Sequence, residues 1–162
     1  MTGQIFKEVT CRYVSGHGVA SGRSNDLRFP KGTLSMQAPY FLEAGLNLSN
    51  FHHGTLNLTP IDHSIELISP KYFFSQVKWT KNLPAENFSF FQSELRLIHA
   101  PNWVPALLYW PHPSTKPEFH QPVNTYEFIA PYIHGVLVGA LIKLRPVEKS
   151  FRFEKQSKRN HD

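Results

Sequence analysis

The sequence predicts a mainly β domain, and three observations carry that prediction. Short runs of β-branched and aromatic residues recur along the chain, helical periodicity is poor, and thirteen prolines punctuate the ends of the runs. Proline supplies no backbone donor to a strand ladder and so collects where strands stop. Many short strands set off in this way build a sandwich or a barrel. With 162 residues, 41% of them hydrophobic, the chain is long enough for one domain with a real core and too short for two comfortable ones.

Taken in order, Gln4 to Val14 reads as the first strand, followed by a glycine-rich loop, Ser15-Gly16-His17-Gly18-Val19-Ala20-Ser21-Gly22. Pro39 to Leu48 is the best helix candidate, with Gly45 as its stop. Thr55 to Leu58, Ser64 to Ile68, Tyr72 to Trp79, Asn87 to Ile98, Ala106 to Trp110, Tyr126 to Ile129 and Ala140 to Leu144 all read as strands. Pro111 to Pro122 holds four prolines and two histidines, a long loop of the kind that in compact domains often carries function. Glu154 to Asp162 is polar and reads as a frayed tail, which leaves residues 1–153 as the domain. No internal repeat, heptad or low-complexity segment is present.

The bulk properties narrow the partners. A formal charge of +5 and a pI near 9.4 favour anionic ligands in general. The excess is scattered, however, and no helix-turn-helix pattern, zinc-finger spacing or aromatic-basic stripe points to nucleic acid. No run of about 18 uncharged apolar residues predicts a membrane span, and the N-terminal residues lack a signal-peptide core. Cys11 is the only cysteine. It forms no internal disulfide, a cytoplasmic location is the simplest expectation, and Cys11 itself reads as a small buried hydrophobe on the first strand.

Three segments carry candidate chemistry. Gly16, Gly18 and Gly22 allow close backbone approach to a ligand, and successive N–H groups in such a loop form an anion-binding nest; an ordinary hairpin loop has the same composition. Thr55 and Asn57 lie two apart, so in a strand a hydroxyl and an amide oxygen project from one face. That pair suits a Mg²⁺ ion that also keeps phosphate oxygens, or is simply exposed. Glu127 stands among Tyr126, Phe128 and Ile129, where desolvation would bring a carboxylate into the range of a general base; alternation also allows an outward-facing strand glutamate. His52, His53, His63, His112 and His120 suggest a rival, a His-liganded metal site in a small barrel, although no ligand spacing supports it.

In their order along the chain, the glycine-rich loop, Gly54-Thr55-Leu56-Asn57-Leu58 and Glu127-Phe128-Ile129-Ala130-Pro131 resemble the archaeal-type CTP-dependent riboflavin kinases. In that family a strand leads into V-x-S-G-x-G-x-G, a helical segment precedes G-T-L-N-[LV], and E-[IF]-I-A-P lies near the C-terminus. The resemblance covers roughly residues 8 to 145. It implies a compact six-stranded cradle-loop β-barrel with short helical insertions. It also implies transfer of the γ-phosphate of a nucleotide, CTP preferred, to riboflavin to give FMN. On that pattern Ser15, Gly16, His17, Gly18, Ser21 and Gly22 cradle the nucleotide, and Thr55 and Asn57 hold Mg²⁺ against its phosphates. Glu127 takes the proton from the ribityl hydroxyl, and Tyr126 or Trp110 stacks on the isoalloxazine. The family's Leu-Arg pair and Asp-Gly-Asp turn are replaced here by Tyr132-Ile133-His134-Gly135-Val136 and the residues after it. A non-catalytic nucleotide- or flavin-binding module on the same barrel is therefore the alternative.

Overall fold

Six antiparallel strands close on themselves in the computed structural model, which describes residues 6–16, 27–28, 32–116 and 120–156. The ring is formed by β1 (Val9–Val14), β2 (Leu56–Pro60), β5 (Glu86–Leu97), β6 (Val104–Pro111), β7 (Tyr126–Ile129) and β8 (Leu141–Pro146). Around the ring the order is β5-β6-β7-β2-β1-β8, and β8 pairs back onto β5. A further strand, β4 (Tyr72–Val77), hydrogen-bonds to the first half of β5, while β3 (His63–Leu67) and β9 (Phe151–Lys155) form a separate two-stranded ribbon. The mainly β expectation holds, and the closed ring decides for the barrel over the sandwich.

Alternation along the strands fills two cores. Val9, Cys11, Leu58, Phe91, Leu95, Leu108, Phe128, Ile142 and Leu144 come from all six ring strands and fill the barrel, with Ile65, Phe151 and Phe153 of the ribbon packed against them. Cys11 lies in this cluster, where burial pushes its thiol up to about 12 against the pull of the Lys143 charge. It is an inert packing residue, as neutral thiols are. The second core lies on the outer face of the sheet. There Phe88, Phe90, Leu107, Tyr109 and Ile129 meet Leu34 and Phe41 of the one helix among the described residues, α1 (Thr33–Glu43). Phe41 packs edge-on against both Phe88 and Phe90 and stacks on Phe74.

Several expectations need correction. The helix starts at Thr33, not Pro39, and Pro39 falls inside it. A proline is favoured at the first turn but is tolerated here, on an exposed face, because the buried stripe Leu34, Gln37 and Phe41 holds the helix down from both sides of it. Gly45, at φ +111°, does end the helix in the left-handed region. Strand β9 was not anticipated, and Glu154 and Lys155, read as tail, pair with Ser64 and His63. Its alternation, buried Phe151 and Phe153 against exposed Arg152 and Glu154, is the strand period itself. Thr55 stands just ahead of β2 and not within it, and His52 and His53 precede that strand too. No helix among the described residues is long and apolar enough to cross a membrane.

The second core predicts its own test. Phe41→Ala should cost about 3–5 kcal/mol, the usual scale for an aromatic removed from a packed site. Leu42→Ala, at a side chain 56% exposed, should stay within about 0.5 kcal/mol. Urea denaturation of the two variants reads both, and equal costs would mean that α1 does not bear on the sheet as described.

Candidate functional site

Strand register brings the site together. Across the outer face, Val14 lies opposite Asn57, Asn57 opposite Glu127, Glu127 opposite Tyr109, and Tyr109 opposite Phe90. Directly opposed residues share a face of the sheet, so this row runs across β1, β2, β7, β6 and β5. It is apolar or aromatic at its ends and carries an amide and a carboxylate in its middle. Helix α1 covers its far end, where the Tyr109 hydroxyl donates to Gln37 Oε1 at 2.6 Å.

Glu127 faces outward from the barrel, as alternation allows, but at 7% exposure it is buried and not a solvated strand residue. Both faces of β7 are buried, Phe128 in the barrel core and Ile129 in the second core. The carboxylate has charged and polar company. Thr55 Oγ1 donates to Oε1 at 3.2 Å, and Lys116 Nζ stands 3.7 Å from Oε2. Thr55 is held in reach because the backbone ahead of β2 already follows β7: His52 N–H donates to Ala130 O at 2.9 Å, and Leu56 pairs with Phe128.

Asn57 is buried, and its Oδ1 accepts no hydrogen bond. A buried acceptor without a partner costs free energy and calls for an explanation, a bound water or ion among them. Gly16 lies directly against this amide: a Cβ there would come 2.1 Å from Asn57 Nδ2, so only glycine brings the loop this close. The chain arrives there because β1 is tied at its end, with Tyr13 N–H donating to Ala140 O and Gly139 N–H to Tyr13 O. Of the loop residues singled out in the sequence, Ser15 and Gly16 are exposed at this point; His17, Gly18, Ser21 and Gly22 lie outside the described residues. Gly16, Thr55, Asn57 and Glu127 thus converge from three separate segments.

Two residues of this cluster, Glu127 and Thr55, each line a cavity. One, of about 220 Å³, is lined by Trp110, Lys116, Tyr126 and Glu127 among others. The other, of about 120 Å³, is lined by Tyr13, His52, Thr55, Ala130 and Tyr132. The Thr55–Glu127 hydrogen bond therefore joins a residue of one wall to a residue of the other. Trp110 and Tyr126 stack on each other with centroids 6.0 Å apart, and the Tyr126 hydroxyl donates to Ile65 O at 3.3 Å.

Sequence reasoning did not find Tyr109, Glu86 or Lys116. Glu86 is buried at the start of β5 and accepts from Trp79 Nε1 at 2.7 Å. Burial pushes its carboxyl up, while the Trp79 hydrogen bond and the Lys116 charge oppose that. The Tyr109 phenol is raised well above its ordinary value, first by burial and then by the charges of Glu127 and Glu86, so it stays a donor to Gln37. Alternation in β6 placed Tyr109 on one face with Leu107, but the partner strands were unknown. The histidines are dispersed, with His52 lining the cavity of Thr55 and His120 that of Glu127. His52 packs against Tyr132, His53 Nδ1 bonds to Ser35 Oγ, His63 packs on Phe6, and His112 Nε2 bonds to Ser89 Oγ. Among the described residues no three His, Cys, Asp or Glu side chains come together as a metal set.

No protein-family model matches this chain, and no curated protein matches it at a significant level.

The contact between Gly16 and Asn57 gives a direct test. Gly16→Ala should leave the fold intact, because the clash falls on the end of a side chain and not on backbone. It should displace the Asn57 amide. A two-dimensional amide spectrum would show the Asn57 side-chain resonances moved and the rest of the barrel in place; unmoved Asn57 resonances would mean that the loop does not sit where it is described.

Proposed function

We propose that this chain is a phosphotransferase that moves the γ-phosphate of a nucleotide, CTP preferred, to riboflavin to give FMN. The observation that carries the reading is the Thr55–Glu127 hydrogen bond, which joins a buried carboxylate lining one cavity to a hydroxyl residue lining the other. A transfer between two bound molecules needs two adjoining compartments with a proton acceptor at the join. The resemblance of the three motifs supplies the substrate classes.

In this reading the flavin occupies the larger cavity, where the Trp110–Tyr126 pair offers aromatic surface for the ring system. The phosphates lie toward Gly16, Thr55 and Asn57. Two residues there fit a Mg²⁺ ion, for Asn57 Oδ1 is an orphaned oxygen and Thr55 supplies a hydroxyl on the Glu127 side. When bound, Mg²⁺ neutralises charge on the phosphate oxygens. Glu127 accepts the proton of the attacking ribityl hydroxyl. As that O–H bond breaks, oxygen bonds to the γ-phosphorus and the bond from phosphorus to the nucleoside diphosphate opens. Phosphoryl transfer asks little covalent work of the protein, and positioning and charge carry it.

The second reading, a non-catalytic binding module, draws on Tyr132 to Ala140, where the Arg and both Asp of the family pattern are missing. One set of measurements separates the two. The wild-type protein with riboflavin, Mg²⁺ and CTP or ATP should yield FMN by chromatography, and Glu127→Gln should lower turnover by roughly 10²-fold or more. Affinity for nucleotide and flavin should change little, since the loss belongs to the transition state. Binding without FMN from any nucleotide would establish the module instead. Isothermal titration should show micromolar Mg²⁺ binding only when nucleotide is present, because two neutral oxygens are too few to hold the ion alone.

A further inference from the structure

The segment after β6 is prolines and histidines in sequence, but its first turn is tightly anchored. His112 N–H donates to Asn87 O at 2.9 Å, and the N–H groups of Thr115 and Lys116 both donate to His112 O at 3.0 Å. Asn87 N–H donates in turn to Thr115 Oγ1 at 2.9 Å, and Ser89 Oγ and His112 Nε2 lie 2.8 Å apart. Two strand residues of β5 therefore grip the turn from below, at its first residue and at its fourth. The residue delivered by this grip is Lys116. Its side chain is only 16% exposed, and its ammonium stands 3.7 Å from Glu127 Oε2. Glu86, at the start of β5, also feels its charge.

We propose that Lys116 is a positioning residue for the transfer reaction: it holds the second oxygen of Glu127 and so fixes the carboxylate plane toward the acceptor cavity. The proposal rests on the phosphotransferase reading above. Its geometry is a two-point clamp. Thr55 hydrogen-bonds Oε1 from the β2 side and the Lys116 ammonium attracts Oε2 across 3.7 Å from the β6–β7 side, so turning the carboxylate about its last bond loses one contact or the other. A glutamate has three rotatable bonds, and on a strand with a single anchor its carboxylate would sample several orientations. The cation offsets the cost of placing Glu127 beside Tyr109 with so little water. Lysine serves here as a point charge at the end of a flexible stem, aimed by the turn and not by its own side chain. The long loop thus gains a task that its composition alone does not reveal: its anchored half sets the base.

The test is steady-state kinetics of FMN formation with three proteins: wild type, Lys116→Met and Lys116→Arg. Lys116→Met keeps the length and apolar stem but not the charge. It should lower kcat by about tenfold to 10²-fold, the scale of a misplaced reacting group, with KM for riboflavin and for nucleotide within about twofold. Lys116→Arg restores the cation and should recover kcat to within a few-fold of wild type. Lys116→Met with wild-type kcat overturns the proposal and leaves the phosphotransferase reading intact. So does an arginine variant as slow as the methionine variant, because the charge would then not be what matters. A rise in KM with kcat unchanged would make Lys116 a substrate-binding group and also overturns it. A wild-type protein that forms no FMN overturns the reading and the proposal together.

Discussion

Everything in this molecule hangs on the length and sharing of β5. Its twelve residues pair with β6 along most of their course, with β4 through the first half and with β8 through the second. The second half closes the ring, so the hydrophobic cluster inside is sealed on all sides. The first half stays flat enough on its outer face to receive α1, and its Phe88 and Phe90 begin the second core. A shorter strand would do one of these and not both. The candidate site lies two and three strands away, on β7 and β2, within the same outer surface that β5 begins.

That surface explains how a carboxylate and an amide come to be dry without being stranded. Burying an ionised group is costly unless it is paired and hydrogen-bonded. Glu127 meets this condition, among the described residues, through partners that include one hydroxyl and one cation, each from a different segment. Tyr109, beside it, is drawn away by Gln37 and makes its bond within the second core. The polar middle of the row is thus divided: one end is satisfied by the helix, the other faces the loop after β1. Within this row Asn57 is left with an oxygen unmet, beside Gly16.

How much of this was legible in the sequence follows from the range of the forces involved. Strand periods are local, and seven of the nine strands stand within a few residues of where the sequence puts them. The helix boundary was misjudged because Pro39 looks like a start, and only tertiary burial of Leu34 and Gln37 shows that the turn before it is helical too. The last strand was hidden by its charged alternate positions, Arg152 and Glu154, which read as solvent-loving until Phe151 and Phe153 are seen to face the barrel. Gly16, Thr55, Asn57 and Glu127 were singled out by residue type, and register then placed them side by side. Lys116 and Glu86 carry no local mark. Their positions depend on which strand pairs with which, and no spacing along one chain encodes that.

One feature of β4 bears on how the molecule behaves in company. Among the described residues the six ring strands close on one another, while β4 lies outside the ring and pairs with β5 alone. An open edge is a template on which another chain can add a strand. Here the register breaks between Phe74 and Val77, and Gln76 takes a positive φ of 52° with its N–H donated inward to Asn87 Oδ1. The bulge twists the rim out of line and withdraws a donor that a visiting strand would need. The same asparagine anchors the turn that delivers Lys116, so a single side chain and its backbone serve both as a guard against unwanted neighbours and as a footing for the site.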